Sequence, residues 1–114
     1  MTLLRFYLFA ALAVIVIYTG QVILTDGFDL VTPFFGDIAA MTWPGQFNLD
    51  FMTFLLLSAL WVAWRHQFSP AGLALAAIAS VGGMLFLSIY LLINSFRPNA
   101  TIETLLLGES RANT

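Results

Sequence analysis

Residues 3–24 read LLRFYLFAALAVIVIYTGQVIL, an apolar run interrupted only by Arg5 near its start and Gln21 near its end. A helix needs about 20 apolar residues to cross the hydrocarbon core of a bilayer, and this run supplies them. The apolar core of a secretory signal peptide has only about 7 to 15 residues. The stretch therefore predicts a transmembrane helix and sets the class of fold.

The composition is typical of a chain that lies mostly in lipid. Of the 114 residues, 61% are hydrophobic and 9% are charged, whereas a soluble domain carries about 25% charged residues. So few charges cannot cover a surface that faces water. We predict a single membrane domain over residues 1–114, in the cell membrane and most simply a bacterial inner membrane.

Two further apolar runs, residues 47–65 and 70–95, are also long enough to cross the bilayer. Ser69 followed by Pro70 is typical of a helix start, because the hydroxyl caps the first turn and proline fits the first helical position. Together with the first run, these patterns predict an all-α membrane protein with three transmembrane helices.

The segment between the first two spans contains a shorter helical pattern. Thr32 and Pro33 repeat the cap-and-proline signature, and apolar residues follow at helical spacing. The segment is too short to span, and Trp43 beside it is a residue type that settles at headgroup level. We predict an interfacial helix over residues 32–42, with a re-entrant loop as the alternative.

The residues beyond the third span predict a second element at the membrane surface. Residues 101–107 contain three consecutive leucines and end before Gly108. We expect a short amphipathic helix whose leucines dip into the membrane.

Three straight spans would divide the charged residues between the two sides of the membrane. Arg5, Arg65 and His66 would share one side, with most of the aspartates and Arg97 on the other. Arginine-rich ends favour the cytoplasm. We therefore predict a cytoplasmic N-terminus and a C-terminus outside.

Polar residues occur on one face of each span, near the end that we place outside. If these faces turn inward, they form a pocket centred on Asp50, whose carboxylate would cost about 2.5 to 3.5 kcal/mol at the bilayer centre unless paired. The alternative is that Asn48 caps the second helix, so that Asp50 is wetted in its first turn; a start at Pro44 would place Asp50 deeper. The candidate pocket comprises Asp50, Thr53, Gln21, Tyr18, Tyr90, Asn94 and Arg97.

Small residues form a stripe along the third span. Such residues let helix backbones approach closely in a membrane, where lipid removes the hydrophobic drive for helix association. The stripe therefore predicts a packing seam. Its members are Gly72, Ala76, Ala79, Ser80 and Gly83.

Several classes of site are excluded by composition. The chain has no cysteine, so disulfides, thiolate zinc sites and iron–sulfur clusters are absent. Its four arginines and lack of lysine leave no basic surface for nucleic acid. We predict no cofactor and no metal site, although the many aromatic residues leave open a bound lipid or apolar pigment.

The second half of the chain resembles small bacterial integral membrane proteins that are grouped only as a domain of unknown function. The resemblance implies a compact fold of three or four membrane helices and carries no activity. A proline expected in the last helix of that group is missing here. The matching pieces are Phe47-Asn48-Leu49-Asp50, Ser58, Trp61, Trp64, Gly82-Gly83, and Tyr90-Leu91-Leu92 before Arg97.

Two hypotheses about function follow from these patterns. The first is a non-catalytic membrane protein that works by assembly, as a homo-oligomer or as an accessory subunit of a larger membrane complex. The second is a small transporter or channel component that uses the pocket at Asp50. An enzyme is the weakest reading, because acid–base chemistry would rest on Asp50 and Tyr90 alone.

Overall fold

The computed structural model describes residues 1–113, which form helices joined by short turns, with no strand in that range. Three of the helices are long and apolar enough to cross a membrane, namely α1, α3 and α4. The prediction of an all-α protein with three such helices is therefore confirmed. The helices in chain order are α1 (Thr2–Asp26), α2 (Val31–Ala40), α3 (Trp43–Arg65), α4 (Pro70–Ser95), α5 (Ile102–Leu107) and α6 (Glu109–Ala112).

The middle span, α3, begins earlier than its apolar run. Thr42 precedes the helix in extended geometry and Pro44 lies in its first turn, which fits the preference for proline there. Asp50 is consequently two turns inside α3, and Asn48 does not cap it. Asn48 instead donates a hydrogen bond to the Phe34 carbonyl of α2 at 3.1 Å.

The last long helix, α4, reverses direction at Gly83. Gly83 has φ 56° and ψ −143°, a conformation that only glycine adopts readily. Both Gly72 and Tyr90 lie beside His66: a Cβ on Gly72 would be 2.4 Å from the His66 Cβ, and the Tyr90 hydroxyl is 2.5 Å from Nε2 of His66. In a straight helix, residues 72 and 90 would be about 27 Å apart.

The two arms of this α4 hairpin, residues 70–82 and 84–95, are each about 20 Å long. The hydrocarbon core of a bilayer is about 30 Å thick, so each arm is shorter than a full span, although α4 as a whole has the length and composition of one. Because the chain turns back, α4 ends beside the C-terminus of α3 rather than opposite to it. The expectation that the tail and His66 lie at opposite ends of the molecule is therefore wrong.

The hairpin packs on the second half of α3, where the buried core lies. The first half of α1 runs antiparallel to residues 84–95, with Leu8 only 1% exposed and Arg5 hydrogen-bonded to Ser95. The second half of α1 extends beyond the hairpin and is exposed. The core cluster comprises Val62, Ala63, Ala76, Ala79 and Tyr90.

Candidate functional site

All four arginines lie at one end of the molecule, which we call the arginine end. Arg5 bonds to Ser95 at the end of α4, Arg65 ends α3, and Arg111 bonds to the neighbouring Trp64. Arg97 lines a cleft together with Arg65. The opposite end, the aspartate end, holds the end of α1, α2 and the start of α3. Its acidic residues are Asp26, Asp29, Asp37 and Asp50.

Arg65 holds the C-terminal tail against α3. Its Nε donates to the Leu105 carbonyl at 2.7 Å, and its Nη2 donates to the Thr104 carbonyl at 3.0 Å. These carbonyls belong to the last turn of α5, where few backbone amides remain to donate to them and the negative end of the helix dipole lies; the Thr104 carbonyl also accepts from the Gly108 amide. Arg65 therefore acts as a C-terminal cap for α5, and its side chain is buried.

Other side chains at this end also donate hydrogen bonds to carbonyls at helix C-termini. Trp61 donates to the Leu106 carbonyl of α5 at 2.9 Å. Arg111 donates to the Trp64 carbonyl in the last turn of α3 and stacks on the Trp64 ring at 4.0 Å. Arg5 donates to the Ser95 carbonyl, which ends α4, at 2.6 Å. Cations and indole groups thus cap three helix C-termini that converge at the arginine end.

Tyr90 connects Arg65 to His66. Arg65 Nη1 donates to the Tyr90 hydroxyl at 2.9 Å, and the same hydroxyl is 2.5 Å from His66 Nε2. Arginine only donates, so the hydroxyl accepts from Arg65 and keeps its proton and a second lone pair for His66, whose tautomer decides which of the two groups donates. Burial lowers the pKa of His66 from its usual value, and the charges of Arg65 and Arg97 add to that effect.

A polar cleft of about 260 Å³ opens at this end. Its walls come from the α3–α4 turn, the end of α4 and the C-terminal tail. Glu109 is the one carboxylate among its lining residues within the described chain, against the guanidinium groups of Arg65 and Arg97. The lining residues are Arg65, His66, Gln67, Asn94, Arg97, Ala100, Thr104, Gly108, Glu109 and Ser110.

The structure does not bring the predicted pocket around Asp50 together. Tyr18 and Gln21 are exposed on the second half of α1, and Tyr18 is 72% exposed. Asp50 and Thr53 are exposed on α3, where the Thr53 hydroxyl bonds to the Asp50 carbonyl at 2.7 Å. The physical reason is the reversal at Gly83, which carries the end of α4 away from the aspartate end. The remaining members lie at the arginine end: Tyr90, Asn94 and Arg97.

Most of the small-residue stripe lies in the interior of the bundle. Gly72 faces His66, Ala76 and Ala79 belong to the core cluster, and Gly83 faces Phe51 of α3. Ser80 is half-buried, and its hydroxyl bonds to the Ala77 carbonyl of its own helix. These contacts are within the chain, so the stripe packs the hairpin on α3.

The tail also differs from expectation in one respect. Leu105 points into the protein and is 2% exposed, whereas Leu106 and Leu107 are exposed. Thr101 and Thr104 form a reciprocal capping box at the start of α5. The tail therefore lies on the bundle and presents only part of its leucine run to the membrane.

The capping role of Arg65 was not anticipated from the sequence. The available signal was an arginine in the last turn of α3 with no acidic residue at helical spacing to pair with it. The sequence also contained a signal for the reversal of α4. This signal was the Gly82-Gly83 pair inside an apolar run, because glycine pairs are strong breakers of local structure.

Comparisons of the chain with protein-family models, with curated proteins and with solved structures gave no match. The resemblance to the bacterial membrane proteins stays a prediction.

Proposed function

We propose that this membrane protein works by lateral assembly, with copies of itself or as an accessory subunit of a larger membrane complex. The observation that carries the proposal is the exposed second half of α1. This segment of a span has no neighbouring helix packed along it in the described residues, and it presents polar groups on one face. These are Tyr18, Gln21 and Thr25.

A polar side chain in a membrane helix favours a neighbouring helix over lipid. The Thr25 hydroxyl bonds to carbonyls of its own helix, but the amide of Gln21 makes no hydrogen bond within residues 1–113. Hydrogen bonds between membrane helices contribute about 0.6 to 2 kcal/mol each. Asp50, exposed on α3, is a second group that a partner helix would shield.

The transporter alternative has less support, because the polar residues it requires are divided between the two ends of one chain. Asp50 lies at the aspartate end, while Tyr90 and Asn94 lie at the arginine end. We also propose that the arginine end faces the cytoplasm, since positively charged residues accumulate on that side.

The test is the oligomeric mass in mild detergent, compared with Gln21→Leu. We expect a complex larger than the monomer, and a dissociation constant raised about fivefold by the substitution, from a loss of about 1 kcal/mol. Gln46→Leu is a matched control, because Gln46 is exposed in the first turn of α3 rather than on the face of α1.

If the chain is a monomer when expressed alone, crosslinking in native membranes through a cysteine replacing Tyr18 distinguishes the two forms of assembly. Crosslinks to another membrane protein support an accessory subunit. A protein that is monomeric in detergent and forms no crosslink in native membranes would refute the proposal.

A further inference from the structure

We propose that the cleft at the arginine end binds a phosphate group at the membrane surface, of the kind that an anionic phospholipid headgroup carries. Arg97 is its principal cationic contact. This inference concerns a different surface from the assembly face on α1, and it stands or fails independently of assembly.

Arg97 differs from the other three arginines, because its guanidinium is available to a ligand. The guanidinium groups of Arg5, Arg65 and Arg111 donate to helix carbonyls. The Arg97 side chain is exposed and makes no hydrogen bond or ion pair within residues 1–113. A guanidinium binds phosphate with two parallel hydrogen bonds, so a free one on a cleft wall suits this anion.

The cleft has an excess of positive charge and supplies further hydrogen-bond donors. After burial, the charges of Arg65 and Arg97 both contribute to the lowered pKa of His66, which lies in the same cleft. Glu109 offsets part of this charge. The hydroxyl of Ser110 and the amide of Gln67 are exposed at the rim and add hydrogen-bond donors.

The cleft opens at the end of the molecule where apolar side chains are exposed. Phe68 in the α3–α4 turn and Phe96 after α4 are exposed beside the cleft, and aromatic residues settle at the membrane interface. Leu106 and Leu107 of α5 are exposed at the same end. A basic pocket between helix ends at this depth suits a lipid headgroup. Its volume of about 260 Å³ is large enough for a headgroup phosphate.

The experiment titrates the purified full-length protein in detergent with phosphatidylglycerol and measures the first bound lipid by native mass spectrometry. Phosphatidylcholine serves as the zwitterionic comparison. We expect phosphatidylglycerol to bind more tightly, and Arg97→Gln to weaken its binding about fivefold, as for the loss of one basic residue near a membrane surface.

Two variants separate a site from general attraction by the charge of this end. Glu109→Gln removes the opposing carboxylate and should strengthen binding, a gain that misfolding cannot produce. Glu103→Gln removes the same charge as Glu109→Gln from the same end but outside the cleft, and it should change binding much less.

Inorganic phosphate, added to the protein without phosphatidylglycerol, identifies the source of the ligand. No binding of inorganic phosphate supports a lipid headgroup, and binding that Arg97→Gln weakens supports a phosphate site filled from solution. Equal affinity for the two lipids, with no binding of phosphate, would overturn the proposal. Equal gains for Glu109→Gln and Glu103→Gln would overturn it as well.

Discussion

Arg65 lies where α3, the α4 hairpin and the C-terminal tail meet. Its side chain is 9% exposed, and three of its nitrogen–oxygen contacts are 3.0 Å or shorter. A planar guanidinium reaches several acceptors at once, whereas the ammonium of lysine is a compact charge on a flexible stem. The attachment of the tail therefore depends on the shape of this side chain as well as its charge.

Arg65→Lys should loosen the tail. Losing one charged hydrogen bond costs about 2 kcal/mol, so amide exchange in residues 102–112 should accelerate about 30-fold. Hydrogen–deuterium exchange of the protein in detergent measures this. Arg97→Lys makes the same chemical change on an exposed arginine and should leave the exchange of the tail unaltered. Equal exchange in the two variants would contradict the capping role.

His66 should make stability depend on pH. Its pKa in the folded chain lies below the usual 6.5, because burial and then Arg65 and Arg97 disfavour the charged ring. Between that lowered pKa and 6.5, the unfolded chain binds a proton that the folded chain does not, so stability falls as pH falls through this window.

The corresponding measurement is the melting temperature in detergent between about pH 7 and about pH 5. We expect it to decrease towards acid, and to decrease less in His66→Gln, which cannot titrate. The same slope in both proteins would show that other groups cause the effect.

At the scale of the element, the α4 hairpin depends on a single glycine. Gly83 combines φ 56° with close packing, because an added Cβ would be 2.8 Å from the Phe51 ring. Residues other than glycine in such a conformation carry about 1 to 3 kcal/mol of strain. Strain in the backbone and collision with Phe51 therefore add together.

Gly83→Ala should lower the free energy of unfolding by about 2 to 3 kcal/mol, measured by denaturation in detergent. Gly20→Ala is the matched control, because Gly20 lies inside α1 with no atom near an added Cβ, and alanine favours a helix. Phe51→Leu, combined with Gly83→Ala, should restore only part of the loss. Complete restoration would mean that the conformation of Gly83 carries no strain.

The same element shows how far the sequence predicts this fold. Ser69 and Pro70 mark the start of α4 correctly, and the Ser69 hydroxyl accepts a hydrogen bond from the Gly72 amide at 3.1 Å. The reversal at Gly83 was not predicted, because glycine in an apolar run also serves close packing of membrane helices. The spacing of glycines alone does not show whether a glycine reverses the chain or lets two helices pack closely.

The predicted site failed for a related reason. The pocket at Asp50 requires a straight α4, and the reversal at Gly83 moves Tyr90, Asn94 and Arg97 to the other end of the molecule. The sequence shows which face of each long helix is polar, but the path of the backbone decides which polar faces come together. The cleft at the arginine end is built from residues distant in sequence, such as His66 and Glu109, which no local pattern connects.

At the scale of the whole molecule, the hairpin determines which segments share a side of the membrane. The tail and the α3–α4 turn both lie at the arginine end, whereas α2 lies at the aspartate end. Single cysteines introduced into this cysteine-free chain test that arrangement. Gln67→Cys and Ser110→Cys should react with an impermeant maleimide from one side, and Thr32→Cys from the other. Reaction of positions 110 and 32 from the same side would mean that α4 crosses the membrane.

The reversal at Gly83 also gives the protein an unequal cross-section. Near the arginine end, the bundle contains α1, α3 and both arms of the hairpin, with α5 and α6 beside them. Beyond the tip of the hairpin, α1 and α3 are the long helices that continue within residues 1–113, with α2 against the start of α3. The molecule is therefore a wedge that occupies more area in one leaflet than in the other. Such a shape relieves packing stress where the leaflet at the arginine end is stretched, so we expect the protein to concentrate in curved regions of membrane with that leaflet on the convex side.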